Sequence, residues 1–316
     1  MGQSISHPSG SGPRVETATP GSYGLPPEGY RLPDATRLGR VQLQIANLSR
    51  SLEFYERTLG LRLVEREVSR ATLAAHGDDR VLVELIERDG TQPAARGRLG
   101  LYHVAILLPD RPSLGRFVRH LGASGVRAGA GDHLVSEAFY VTNPDGLGIE
   151  VYADRPRSAW KRVDRELMLA TDPVDVASLV EAAGDAPWTG MPAGTVIGHV
   201  HLHVSDLDHA AAFYAESLGF DRMTWSYPGA LFLGAGGYHH HLGTNLWAGP
   251  NARAPQDDEA KLLEWTIEVP TRADIDRIVQ SLIKSGRPVD RVVDSEALTC
   301  DPWGTAIRVR SIHHGM

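Results

Sequence analysis

Only one of the 316 residues, Cys300, is a cysteine, so no disulfide can form within the chain and nothing points to an oxidising compartment. No apolar run approaches the ~18–20 residues of a bilayer span. Lys and Arg are outnumbered 32 to 39 by Asp and Glu, giving a net charge of −7 with no basic block. That balance argues against nucleic acid or an anionic membrane surface as a partner. A secretory signal is missing too. Residues 1–37 hold 17 Gly, Pro or Ser and lack an apolar core of roughly 7–15 residues. They read as a mobile tail, with the folded protein starting near Leu38 in the cytosol. With 42% hydrophobic and 22% charged residues, the remainder is ordinary globular material of about two domains. What is plentiful is histidine: 14 in all, seven of them between His199 and His241.

An internal repeat organises the chain. Residues 38–61 read LGRVQLQIANLSRSLEFYERTLGL, and residues 197–220 read IGHVHLHVSDLDHAAAFYAESLGF. They align without gaps. Each opens on a strand-like alternation (Val41, Leu43, Ile45; Val200, Leu202, Val204), then passes a capping stretch into a helix that ends at Leu-Gly. A related pattern follows each copy, closing on a hairpin at Asn143-Pro-Asp-Gly146 or Asp301-Pro-Trp-Gly304. The chain therefore reads as four βαβββ modules, about 38–92, 98–155, 196–250 and 260–312. Divided in chain order, these make a first domain over 38–155, a connector over 156–195 and a second domain over 196–312. The fold class is α+β.

With these repeats the chain resembles the vicinal-oxygen-chelate superfamily, which includes glyoxalases, bleomycin-resistance proteins and extradiol dioxygenases. The resemblance covers 38–312. It implies that modules pair into cup-shaped mixed sheets, with a metal held by residues of first and last strands. Module two offers His103 and Glu150, and module three His199 and, by alignment, His241. Module one offers Arg40 with no clear last-strand partner, and module four Glu264 and Arg308. A guanidinium has no lone pair for a metal, so the metal cup is expected to join modules two and three, leaving one and four as a structural pair. Sequential pairing, with His199, His241 and Glu264 in one cup, is the alternative.

Residues 131–150, GDHLVSEAFYVTNPDGLGIE, carry the most specific pattern, one resembling extradiol ring-cleavage dioxygenases. A hairpin turn at Asn143–Gly146 lets Tyr140 and Glu150 point into one cup. The resemblance implies a facial triad of His103, His199 and Glu150 holding Fe(II), an arrangement that leaves open positions. Mn(II) stays open, since ligand type does not separate the two. It further implies that a small aromatic diol and O₂ are the substrates. His241 would be the acid–base group, though which of His239–His241 acts stays open, and His133 and Tyr140 would hydrogen-bond the substrate oxygens. His201 and His203 read as cup-lining or hydrogen-bonded residues. Trp225, Tyr227 and Trp247 could wall a pocket or simply pack, and Cys300 reads as a buried small residue. Two other functions share the fold: a glyoxalase-like isomerase or lyase, and a metal-free binding or resistance protein. Self-association into a homo-oligomer is common among paired-module proteins and stays open here.

Overall fold

The computed structural model describes residues 14–293 and 295–312. Its body is two curled eight-stranded sheets. One runs in the order Asp221–Thr224, Ala230–Gly234, Leu242–Asn245, Val196–His203, Gly100–Leu107, Gly148–Asp154, Ser136–Thr142, Gly129–Asp132. The other runs Val289–Val293, Glu296–Cys300, Ala306–Ser311, Lys261–Val269, Arg37–Ile45, Val81–Glu87, Arg70–Ala74, Arg62–Arg66. The first sheet thus joins modules three and two, and the second joins four and one. Neither coincides with the chain-order halves 38–155 and 196–312.

Each sheet closes through an antiparallel pair of first strands. His201 stands opposite His103 in one, and Trp265 opposite Val41 in the other. These strands are two-faced, as their alternation requires. One face (Val41, Leu43, Ile45, Val104, Ile106, Val200, Leu202, Trp265, Ile267) joins the main apolar core with the helices. Fully burying a side chain of this size contributes about 1.5–3 kcal/mol. The other face looks into the cup, and that is where the chemistry-bearing residues fall.

The repeated capping stretch works as spaced. Asn47 and Asp206 accept hydrogen bonds from the Arg50 and His209 backbone N–H groups and start equivalent helices. Both helices then widen into a π turn, Phe54–Thr58 and Ala211–Ser217. Residues 156–195 carry a short helix, Val176–Ala182, and two of the three strands of a small third sheet.

Two expectations are corrected here. Residues 14–37 are built into the fold. Val15–Thr17 pair with Lys161–Val163, Leu25 bridges to Arg222, and Tyr23 and Leu32 are buried. Backbone hydrogen bonds and a few apolar anchors suffice to order a stretch that shows no periodicity. The remainder of the expected tail, residues 1–13, lies outside the described residues. Cys300 is exposed, at the end of its strand.

Candidate active site

Within each module the first and last strands run parallel, and their register decides which side chains meet. In module two Ala105 pairs with Glu150, which sets Glu150 beside His103 on the cup face. The central antiparallel pair then brings His199 across from module three. The three donors converge: His103 Nε2 lies 2.9 Å and His199 Nε2 3.2 Å from Glu150 Oε2, and the two nitrogens are 3.3 Å apart. All three residues are buried.

The same register applied elsewhere yields the equivalents. In module one Gln42 pairs with Glu84, so Glu84 is the last-strand residue that the sequence pattern did not reveal. In module four Thr266 pairs with Arg308. In module three His201 pairs with Gly243, so that position belongs to glycine and not to His241. A Cβ on Gly243 would come 2.8 Å from the His201 ring, which lies over it. Asn245 Nδ2 donates to His201 Nε2 at 2.9 Å and fixes that ring. The modules one and four cup therefore holds ion pairs where the other holds the triad. Arg40 lies 3.1 Å from Glu84, and Arg308 forms a fork on Glu264 at 2.7 and 2.9 Å.

The triad opens on a cavity of about 380 Å³ whose lining includes no Arg or Lys. His133 and Tyr140 form one wall. Tyr140 stands directly opposite Glu150 in the hairpin, and the turn closes through the Gly146 N–H donating to the Asn143 carbonyl. His133 Nδ1 donates to the Ala170 carbonyl at 2.7 Å, leaving Nε2 to accept the Tyr140 hydroxyl at 2.6 Å. Burial holds the Tyr140 phenol well above its ordinary pKa, so it stays a donor. Tyr102, Tyr227, Phe232, Trp247 and Leu169 supply an aromatic and aliphatic wall. Tyr227 and Trp247 are thus pocket residues and Trp225 is not. His201 also lines the cavity, as its alternation suggested, and so does Tyr102.

The triple-His segment departs from expectation. His240 lines the cavity, its ring 4.2 Å from that of His199. His241 does not: its Nδ1 accepts the Ala235 N–H at 3.2 Å, and its ring packs near Tyr238 and Phe220. The alignment that favoured His241 fails because residues 235–241 precede the strand Leu242–Asn245 and form a turn, with Gly236 and Gly237 in the left-handed region.

Burial, with His239 and His199 nearby, holds the His241 imidazole down to about 3. Its folded pKa lies below the unfolded value, so it contributes stability that is present above about pH 6.5 and lost as pH falls toward 3. Between pH 6.5 and 5 the wild type should lose about 2 kcal/mol more than His241→Gln, at about 1.4 kcal/mol per pH unit. Urea midpoints at pH 7 and 5 read this directly, and equal slopes for the two proteins would reject it.

The donor set fits a divalent cation. Glu150 is a buried carboxylate whose ionised form the imidazoles of His199 and His103 favour over the opposing push of burial. Burial in turn keeps His103 in its uncharged, lone-pair form. A buried carboxylate with no Arg or Lys in the cavity lining, and two imidazole nitrogens beside it, are ligands of the kind iron accepts. This trio is the candidate metal-holding group among the described residues.

The sequence model of the Glyoxalase/Bleomycin resistance protein/Dioxygenase superfamily matches residues 37–151 and 196–307, and the chain belongs to that superfamily. It is 44% identical over 265 residues to catechol-2,3-dioxygenase of Bacillus subtilis strain 168, covering 82% of this chain and 92% of that relative. The chain is an enzyme resembling that one. Lactoylglutathione lyase of Neisseria meningitidis serogroup A is 33% identical over 122 residues, 36% of this chain and 88% of the relative. Among solved structures, glyoxalase I from Zea mays shares the fold at a TM-score of 0.53 and 16% identity, covering 88% of this chain and 92% of its own. No helix among the described residues is long and apolar enough to cross a membrane.

Proposed function

We propose that the chain is a cytosolic Fe(II)-dependent extradiol dioxygenase that opens catechol, or a substituted catechol, beside its two hydroxyls with O₂. The observation that carries this is the convergence of His103, His199 and Glu150 at one end of an aromatic-walled cavity that also holds His240, His133 and Tyr140. The 44% identity to a catechol-2,3-dioxygenase supports the same reading.

The triad would hold the iron, whose redox chemistry joins oxygen to the ring. The protein's own groups do the rest. Tyr102, Phe232, Tyr227 and Trp247 make a slot for a flat ring, and the cavity volume leaves room for ring substituents. Tyr140, its proton committed to His133, presents its phenolic oxygen as an acceptor for a diol hydroxyl and so orients the substrate. His240 is the acid–base group. Burial, with His199, His239 and His201 around it, holds its pKa well below the ordinary value, so it meets the substrate as a neutral base able to take a diol proton and return it. A glyoxalase-like reaction wants a second carboxylate as base, and Gly243 stands at the place where module three would supply it.

The test is oxygen uptake by protein loaded anaerobically with Fe(II), or with Mn(II) in a parallel sample, then given catechol and air. The expected result is uptake equal to a ring-opened yellow product in the iron sample. In the same assay His240→Ala should lower kcat by about 10²–10⁴-fold, the usual contribution of a positioned acid–base group, while His241→Ala should not. Bound iron with no uptake across a panel of catechols would reject the reading.

A further inference from the structure

His240 does not stand alone. Its Nδ1 lies 2.7 Å from Nδ1 of His239, and His239 Nε2 lies 2.9 Å from Oδ1 of Asp154. That oxygen also takes the Tyr238 hydroxyl at 3.3 Å, and the Tyr152 hydroxyl donates in turn to Tyr238 at 2.7 Å. Burial holds both phenols well above their ordinary pKa, so both act as donors. The His239 side chain has no exposure, whereas Asp154 is 28% exposed. The run therefore leads from the cavity wall to the surface.

Proton positions follow from donor counting. An ionised carboxylate only accepts, so His239 carries its proton on Nε2. With that proton given to Asp154, the His239 Nδ1 is the acceptor in its contact with His240. Two imidazole nitrogens 2.7 Å apart hold one proton between them, and here it must come from His240. His240 is thereby protonated on Nδ1, and its lone pair falls on Nε2, on the ring edge away from His239. The hydrogen bond at one ring nitrogen sets the role of the other.

We propose that Asp154 and His239 are positioning residues that fix His240 in its Nδ1-protonated form, with Nε2 free to take the substrate's proton. This rests on the reading of His240 as the acid–base group. The segment itself is pinned from outside. The Tyr23 hydroxyl donates to the Gly237 carbonyl at 2.8 Å, and the Trp160 ring lies 5.4 Å from that of His239.

The test uses ¹⁵N-histidine-labelled full-length protein, zinc-loaded as a diamagnetic stand-in, with two-bond ¹H–¹⁵N spectra that report which nitrogen of each imidazole is protonated. Loss of signals in His240→Gln and His239→Gln assigns the two rings. The expected result is a protonated Nδ1 on His240 in the wild type and a shift toward Nε2 protonation in Asp154→Ala. In the iron-loaded enzyme Asp154→Ala should lower kcat by about 10²-fold, the low end of what a positioned base contributes, with KM little changed and partial recovery in Asp154→Glu. A wild-type His240 protonated on Nε2, or one whose protonation ignores Asp154→Ala, overturns the proposal. A wild type that turns over no catechol overturns the reading of His240 as acid–base group instead, and the spectra still decide the proton's position.

Discussion

Glu150→Gln is expected to abolish both iron retention and catechol-dependent oxygen uptake and to leave the metal-free protein less stable than the wild type at neutral pH. The substitution keeps shape and removes charge. Its effect on the metal follows from the donor set, since His103 and His199 are neutral ligands and Glu150 is the sole carboxylate beside them in the cavity lining. Its effect on stability follows from the surroundings. The imidazoles of His199 and His103 hold the Glu150 carboxyl well below its ordinary pKa against the opposing push of burial, so its ionised form contributes stability at neutral pH that an amide does not. Metal analysis, oxygen uptake and thermal melts of metal-free samples test the three parts. A variant that retains wild-type iron and turnover would remove Glu150 from the ligand set.

Arg308→Met is expected to act on stability alone: little change in the chemistry and a large loss of stability, about 3–5 kcal/mol. Arg308 forks onto Glu264 and also reaches Glu296 at 2.8 Å. Without it Glu264, buried at 7% exposure, has lost its partner guanidinium, and that, more than the lost attraction, is what destabilises. The paired variant Arg308→Met with Glu264→Met should recover most of the loss, because an apolar pair of similar bulk leaves no stranded charge. Urea denaturation of the single and double variants measures both numbers. A single variant within 1 kcal/mol of wild type would show that the ion pair is not the cup's support.

How much of this was legible in the sequence depends on whether a residue's place is set locally. The hairpin from His133 to Glu150 was, because turn chemistry and strand period fix Tyr140 against Glu150 without help from elsewhere. His103 and His199 were, because both occupy the same place in a repeated first strand. The His240 side chain was not. Two left-handed glycines and a turn precede it, so the period of two does not run through the segment. Glu84 escaped because its partner is an arginine, and a pattern sought as metal ligands does not register an ion pair. The Gly- and Pro-rich residues 14–37 escaped for another reason. Backbone pairing to 161–163 holds them, and backbone hydrogen bonds leave no trace in side-chain pattern.

The pairing of module two with three, and of one with four, has a topological consequence. Between Arg37 and Ser311 the chain lays down the strands of module one in one eight-stranded sheet, passes through the whole of the other, and returns to the first with module four. A cut in the connector would leave fragments that still share both sheets, so neither half of the gene encodes a self-sufficient piece. The contiguous stretch from about 98 to 250, by contrast, contributes every strand of the triad's sheet. The triad's sheet is inserted within the other like a clause within a sentence, as one uninterrupted stretch of chain.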